Sequence, residues 1–333
     1  MRIGVLGAAR IAPAALMKPA RAVDDVEVAA VAARDRGRAQ AFATRYGVPA
    51  VHDSYASLLA DPSLDAVYIP LPNGLHEQWT LAALKAGKHV LCEKPFTSNA
   101  AQARAVAAVA DETGLVVMEA FHYRYHPLAR RMAEIVHGGE LGAIQRVETA
   151  MCFPLPRFSD IRYDYSLAGG ALMDAGCYAV HALRLLAPGE PEVTTARALT
   201  MRRDRRIDRA MTARFTFSGA TAATGESGAT GEIRASMWSS DLLRIRARAV
   251  GERGTLTVTN FVAPQVWSRC TVTVDGRRRH ERFAGEATYV HQLRAFAAAV
   301  RGEAANLTPP SDSIATMSLI DDIYTAAGLP LRE

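Results

Sequence analysis

Six residues near the start of the chain, Gly7-Ala8-Ala9-Arg10-Ile11-Ala12, follow the short apolar run Arg2-Ile3-Gly4-Val5-Leu6 and match the dinucleotide-binding spacing G-x-G-x-x-G/A, with Ala in place of the second Gly. That chemistry needs a tight turn at Gly7, a nearly bare backbone at Ala9 so that a pyrophosphate can reach helix N-terminal amides, and a small Ala12 for close helix packing. Arg10 and Ile11 lie inside the turn and are candidate cofactor contacts. The next apolar run, Val26 to Ala33, ends in Ala33-Arg34-Asp35. At this point, roughly 20 residues after the fingerprint, an NAD-selecting protein usually carries an acid for the ribose. Ala33 stands there instead, and Arg34 is a candidate to receive a 2′-phosphate, so NADP is the expected cofactor, with NAD as the alternative. An Arg that merely starts a surface helix, or Asp35 on the ribose after a two-residue shift, stays open at this point.

Cys92-Glu93-Lys94-Pro95 closes a further apolar strand. Ligands of open α/β sheets bind at the carboxyl ends of the strands, so Glu93 and Lys94 are expected beside the nicotinamide, with a cis bond at Pro95 fixing the turn. Pro72-Asn73-Gly74-Leu75-His76 ends another strand in the same way, which places Pro72, Asn73 and His76 near the ribose or the substrate; a purely structural His76 is the other reading. The chain has four lysines, Lys18, Lys85, Lys88 and Lys94, against 35 arginines. A lysine inside a motif therefore suggests chemistry that wants a compact ammonium with a movable pKa, whereas Lys85 and Lys88 read as surface positions.

The elements that must hold these residues are legible as alternation. Apolar runs at Arg2 to Leu6, Val26 to Ala33, Ala66 to Pro70, His89 to Cys92 and Leu115 to Met118 are separated by helical stretches such as Glu77 to Ala86 and Ala100 to Glu112. This pattern predicts an α/β Rossmann domain, a doubly wound parallel sheet covered on both faces, over residues 1–121. Beyond it the pattern changes to an Arg-rich helix, Leu128 to His137, and longer strands at Ile144 to Phe153, Val193 to Met201, Met211 to Phe217, Leu243 to Val250, Thr255 to Thr259 and Val266 to Val274. Gly225-Glu226-Ser227-Gly228 and Asp275-Gly276 read as turns, and Tyr289 to Arg301 as an amphipathic helix. Residues 122–333 are thus expected to form an α+β domain with a large, mostly antiparallel, open-faced sheet. The runs Arg202-Arg203-Asp204-Arg205-Arg206 and Arg277-Arg278-Arg279 read as solvated or subunit-facing loops.

Composition bounds the function. The 333 residues are 49% hydrophobic and 22% charged, which excludes collagen, long disorder and a disulfide miniprotein. A net charge of +5 is spread along the chain, so nucleic acid is not the expected partner; binding through the arginine runs would show a steep salt dependence. Cys92, Cys152, Cys177 and Cys270 lack both C-x-x-C and histidine at metal spacing, so no metal is expected. Free thiols, no signal-like h-region and no long apolar window point to a cytoplasmic protein without a membrane span.

Taken with the blocks Glu119-Ala120-Phe121-His122-Tyr123-Arg124-Tyr125-His126-Pro127 and Gly169-Gly170-Ala171-Leu172-Met173-Asp174-Ala175-Gly176-Cys177-Tyr178, these motifs resemble the glucose-fructose oxidoreductase, inositol dehydrogenase and rhizopine-catabolism (Gfo/Idh/MocA) family nearly end to end. One departure is informative: most of that family ends the D-x-G-x-H block in His, whereas this chain has Tyr178. With Asp160-Ile161-Arg162-Tyr163-Asp164 ahead of it, the variant is similar to the branch of dimeric dihydrodiol dehydrogenases, NADP-linked xylose dehydrogenases and deoxysugar ketoreductases.

The resemblance implies an NADP-dependent oxidoreductase acting on a secondary alcohol or ketone of a sugar, nucleotide-linked sugar or cyclic diol. It implies Tyr178 as general acid/base, Lys94 as the cation that lowers its pKa, and Asp174 as the residue that orients Lys94 or a substrate hydroxyl. Asp174 as a helix N-terminal acid is the alternative reading. Glu119, Tyr123 and Arg124 are candidates on the nicotinamide side, and Phe153, Arg157, Phe158, Arg162 and His181 for the substrate pocket. A homodimer or homotetramer through the C-terminal sheet is expected by the same analogy. The rival functions are a redox-cycling glycoside hydrolase with tightly held NAD and a non-catalytic nicotinamide-binding sensor.

Overall fold

Strands that pack on both faces need apolar residues throughout, and the continuous runs of the first third form a six-stranded parallel sheet. It comprises β1 (Arg2–Leu6), β2 (Glu27–Ala32), β3 (Ala50–His52), β4 (Ala66–Ile69), β5 (His89–Cys92) and β6 (Val117–Glu119), in the order β3-β2-β1-β4-β5-β6. The computed structural model describes residues 1–218, 228–283 and 285–333, so most of the Gly225-Glu226-Ser227-Gly228 turn lies outside the described residues. The connecting helices are α1 (Lys18–Ala20), α2 (Arg36–Tyr46), α3 (Tyr55–Leu59), α4 (His76–Lys85) and α5 (Ala100–Thr113). Asp35, Ser54 and Asn99 cap α2, α3 and α5 by accepting from the amides of Arg38, Ser57 and Gln102. The order reverses between β1 and β4, which puts the loops after Leu6 and Ile69 at the switch point where such sheets bind ligands, with the loop after β5 beside them. Lys88, expected at the surface, is buried, and its ammonium donates to the carbonyls of Asp61 (2.7 Å) and Leu64 (2.8 Å).

The second sheet has eight strands: β7 (Ile144–Cys152), β8 (Glu190–Thr200), β9 (Asp208–Ser218), β10 (Thr230–Ser236), β11 (Arg244–Gly251), β12 (Gly254–Thr259), β13 (Arg269–Val274) and β14 (Arg277–Glu281). Only β7 and β10 run parallel among the described pairings. With α6 (Pro127–His137) and α7 (Cys177–Leu186) covering it, one face buries Val147, Thr149, Met151 and Ile233. The alternate residues on the opposite face form ion pairs such as Arg248–Glu148 (3.3 Å) and Arg234–Glu232 (2.8 Å).

Two compact units result: residues 1–125 with 286–314, and 126–285 with 315–333. The first unit thus takes in residues 286–314 beside the N-terminal stretch. The apolar side of α8 (Thr288–Val300) returns to the first unit, where Leu293 and Phe296 join the core of Ile3, Val5 and Leu16. The last helix, α9 (Pro310–Ala326), follows it. Among the described residues no helix is long and apolar enough to cross a membrane, and no cluster of three His, Cys, Asp or Glu side chains is placed to hold a metal.

The run Arg277-Arg278-Arg279 is an edge strand rather than a solvated loop. Asp275 and Gly276 (φ +48° and +76°) make the two-residue hairpin turn that pairs it with β13, and charged side chains then fix it. Arg131 of α6 grips Glu281 with two hydrogen bonds of 2.9 and 3.2 Å, and Arg279 donates to the same carboxylate at 3.0 Å. These bonds hold the Glu281 carboxyl below its ordinary value of 4.5. A carboxylate depressed in the folded state stabilises the fold above its unfolded pKa and loses that contribution as pH falls through the folded one. Glu281→Gln is therefore expected to lower stability by about 1 kcal/mol at neutral pH, with the gap to wild type closing as pH falls below the ordinary glutamate range. Thermal melts at pH 7 and pH 3 check this; a gap that does not shrink with acid contradicts it.

Candidate active site

In the first unit the residues singled out by sequence gather at the strand ends. Gly7 has φ +115°, and a Cβ there would sit 3.0 Å from Leu71, so the β1 turn needs glycine for both backbone and space. Its amide donates to the Ala32 carbonyl at 2.7 Å, tying the turn to the end of β2. The turn's internal bonds come from Ala9 and Ala12, while Arg10 and Ile11 are exposed at its tip and Ala12 is fully buried. Ala33 is buried and Arg34 exposed. Asp35 is committed to capping α2, accepting from the Arg38 amide at 2.7 Å, which disfavours the reading that puts it on a ribose.

Arg38, one helical turn after Arg34, is a residue the sequence reading missed. Its guanidinium donates to the Ala8 carbonyl at 3.4 Å, so a second cation reaches the fingerprint turn. Both arginines act on the phenol of Tyr55, which burial pushes above the usual tyrosine value. The Tyr55 hydroxyl is 3.8 Å from where a Gly7 Cβ would be, which places these cations around the mouth of the turn. A second arginine in the first turn of the helix that follows β2 is the signal that could have found the pair.

The loop after β5 turns at a cis Lys94-Pro95 bond. Glu93 is buried and accepts from the Tyr68 hydroxyl at 2.6 Å; burial raises its pKa, partly offset by that bond and by Lys94. Lys94 itself is half-buried, and its charge also acts on His76 and His122. Burial, reinforced by Lys94, drives His122 down to about 3, so its ring is neutral; it contacts the Thr288 hydroxyl at 2.7 Å and stacks on Tyr289 with centroids 4.0 Å apart.

His76 lies between the loops after β4 and β5. It is fully buried, with Nδ1 2.7 Å from the Pro95 carbonyl and Nε2 2.8 Å from the Leu71 carbonyl, so it braces the loops after β4 and β5 against each other. Burial lowers its pKa. Pro72 and Asn73 are half-buried beside it at the start of a short turn, Asn73–Leu75. Glu119, expected on the nicotinamide side, is buried and accepts from the Ser313 hydroxyl at 2.6 Å. Tyr123 is fully buried and Arg124 half-buried.

In the second unit, a wide π turn over Leu172–Gly176 runs directly into α7. Asp174 lies in its first turn and Tyr178, 6% exposed, in the first turn of α7. The Asp174 amide donates to the Gly170 carbonyl at 3.0 Å, and its carboxylate lies 3.5 Å from Arg162. Arg162 also pairs with Asp160 at 3.2 Å, so it links two acids of this unit. Phe153 packs half-buried against a small core of Tyr163, Ala171, Met201, Ile207 and Met237, and His181 is buried along α7. Arg157 and Phe158 are exposed, and Phe158 meets Trp238 edge-on at 5.8 Å, an aromatic pair of which Trp238 was not anticipated. Burial and then Asp160 push the Tyr163 hydroxyl up to about 12, so it stays protonated, donating to the Leu155 carbonyl at 2.9 Å. All four cysteines are buried and none forms a disulfide.

Known proteins resemble this chain over nearly its whole length. Residues 1–121 match the oxidoreductase family model with an NAD-binding Rossmann fold, and residues 129–257 match the GFO/IDH/MocA C-terminal domain. The chain is 40% identical to D-xylose 1-dehydrogenase (NADP(+)) 2 of Haloferax volcanii, covering 98% of this chain and 97% of that one. It is 33% identical to a dTDP-3,4-didehydro-2,6-dideoxy-alpha-D-glucose 3-reductase of Actinomadura kijaniata, covering 98% and 96%. A solved 3-ketoreductase of that organism, in complex with NADP and TDP-benzene, superimposes with a TM-score of 0.87 at 31% identity, covering 98% of this chain and 97% of that one. With both domain models matched in order and relatives aligned end to end, the chain belongs to the Gfo/Idh/MocA oxidoreductase family.

Proposed function

We propose that this protein is an NADP-dependent oxidoreductase that moves a hydride between the nicotinamide and a secondary alcohol or ketone of a sugar, nucleotide-linked sugar or cyclic diol. The observation that carries the reading is the pair Arg34 and Arg38 at the mouth of the Gly7 turn, with Asp35 occupied as a helix cap. An end-to-end relative named for NADP(+) and xylose supports it. The Gly7 to Ala12 turn would hold the pyrophosphate, Arg34 and Arg38 the 2′-phosphate, and the strand-end residues Pro72, Asn73, Glu93 and Lys94 the nicotinamide ribose. Bound there, NADP supplies the hydride acceptor or donor.

The chain's own work is proton handling. Oxidising an alcohol removes a hydride from carbon and a proton from oxygen, and Tyr178 takes that proton; in the reverse direction it returns it. A phenol has an ordinary pKa near 10, so a cation must stabilise the phenolate at neutral pH. Lys94 supplies it in this reading. Asp174 and Arg162 orient substrate hydroxyls, with Arg124, Phe153 and His181 shaping the pocket. A homodimer or homotetramer forms through the charged face of the eight-stranded sheet, and four unbridged cysteines favour a reducing compartment, the cytoplasm.

The test is a set of initial rates followed by nicotinamide absorbance, with NADP and NAD in parallel, against pentoses, hexoses, inositols and a trans-cyclic diol. NADP-preferring turnover of one class is the expected result. A cofactor that copurifies tightly, with glycoside cleavage and no net nicotinamide reduction, would replace this reading with redox-cycling hydrolysis. Reversible nicotinamide binding with no turnover of any sugar, nucleotide sugar or diol would replace it with a sensor.

A further inference from the structure

The π turn that carries Asp174 begins at a buried ion pair. Asp208, at the start of β9, and Arg332, in the segment after α9, are both fully buried, with Arg332 Nη2 donating to Asp208 Oδ1 at 2.7 Å. The other Asp208 oxygen accepts the Leu172 amide at 2.7 Å, at the first residue of the turn, and Oδ1 also accepts from the Tyr324 hydroxyl at 3.0 Å. Arg332 Nε donates to the Gly169 carbonyl at 2.8 Å. Its guanidinium carbon lies 4.1 Å from the Tyr324 ring centroid, a cation–π contact. Gly170, at φ +144°, leaves the room this requires: a Cβ there would fall 2.2 Å from Asp208 Oδ1 and 2.8 Å from Arg332 Nη2.

Three bonds hold the backbone that leads into Asp174. The Gly170 carbonyl accepts the Asp174 amide, Leu172 is held by Asp208, and Gly169 is held by Arg332. A buried charge can stay in such a place only with its partner and hydrogen bonds intact, so the pair forces one position on the strand-to-turn junction. We propose that Arg332 is a positioning residue: acting through Asp208 and the Gly169 carbonyl, it sets the start of the turn and so the placement of Asp174 and Tyr178. This rests on the reading of Tyr178 as the general acid/base.

The experiment is a double-mutant cycle in the full chain, combining Arg332→Lys with Tyr178→Phe and using the sugar or diol turned over best with NADP. Single-turnover hydride transfer and NADP affinity are measured well below the melting temperature of every variant. Lysine keeps the charge but cannot donate to Asp208 and Gly169 together with the same planar fork. Arg332→Lys is expected to slow hydride transfer about 10-fold in the wild-type background and less than about 2-fold in the Tyr178→Phe background, with NADP affinity unchanged. An equal slowing in both backgrounds, or none, overturns the proposal. Should Arg332→Lys fail to fold, Tyr324→Phe, which removes one bond to Asp208, takes its place in the same cycle with the same criteria. A Tyr178→Phe enzyme that is as fast as wild type would show separately that the acid/base reading itself is wrong.

Discussion

Tyr178→Phe is expected to slow turnover about 100-fold or more while leaving NADP affinity within about 2-fold, because in the proposed mechanism it deletes only the hydroxyl that exchanges the proton. The loss corresponds to roughly 2.7 kcal/mol of transition-state stabilisation. The ring is 6% exposed and sits on the first turn of α7, so phenylalanine fills the same space and the fold is expected to persist. The signature is a fall in kcat with little change in cofactor binding, read by steady-state rates beside a direct NADP titration. Turnover near the wild-type rate would remove Tyr178 from the mechanism.

The second large effect is on cofactor choice. Arg34→Ala is expected to raise the Kd for NADP by about 10- to 100-fold, since charge-assisted bonds to phosphate are worth about 1.5–3 kcal/mol. The Kd for NAD, which lacks the 2′-phosphate, is expected to move less than about 2-fold. Arg38 remains at the Ala8 carbonyl as a residual cation, which keeps the loss finite. Fluorescence titration with NADPH and NADH measures both constants; equal weakening of the two would mean that Arg34 does not read the phosphate.

The parallel sheet and its strand-end loops were legible because strands buried on both faces leave continuous apolar runs in the sequence, and the chemistry of such folds sits where those runs stop. The cis bond at Pro95 was expected on that logic and is present. Features that depend on distant partners were not. Nothing local distinguishes Lys88 from a surface lysine until the carbonyls of Asp61 and Leu64 converge on it. The run Arg277 to Arg279 looks like a solvated loop until Arg131 and Glu140 supply partners for an edge strand. That both His76 ring nitrogens lie within hydrogen-bond distance of main-chain oxygens, those of Pro95 and Leu71, was likewise not legible. Asp208 and Arg332, 124 positions apart, carry no mutual signal in a single sequence. The return of α8 to the first core is of the same kind: its amphipathic face was visible, but not the surface it covers.

The most direct test of the central claim follows the hydride itself. The substrate identified in the rate panel is deuterated at the carbon that loses hydrogen, incubated with enzyme and NADP, and the reduced cofactor is weighed by mass spectrometry. Direct transfer to nicotinamide predicts NADPH carrying one deuterium, formed slowly by the Tyr178→Phe enzyme and readily by wild type. Oxidised product accompanied by NADPH free of deuterium, or by no NADPH at all, would contradict it.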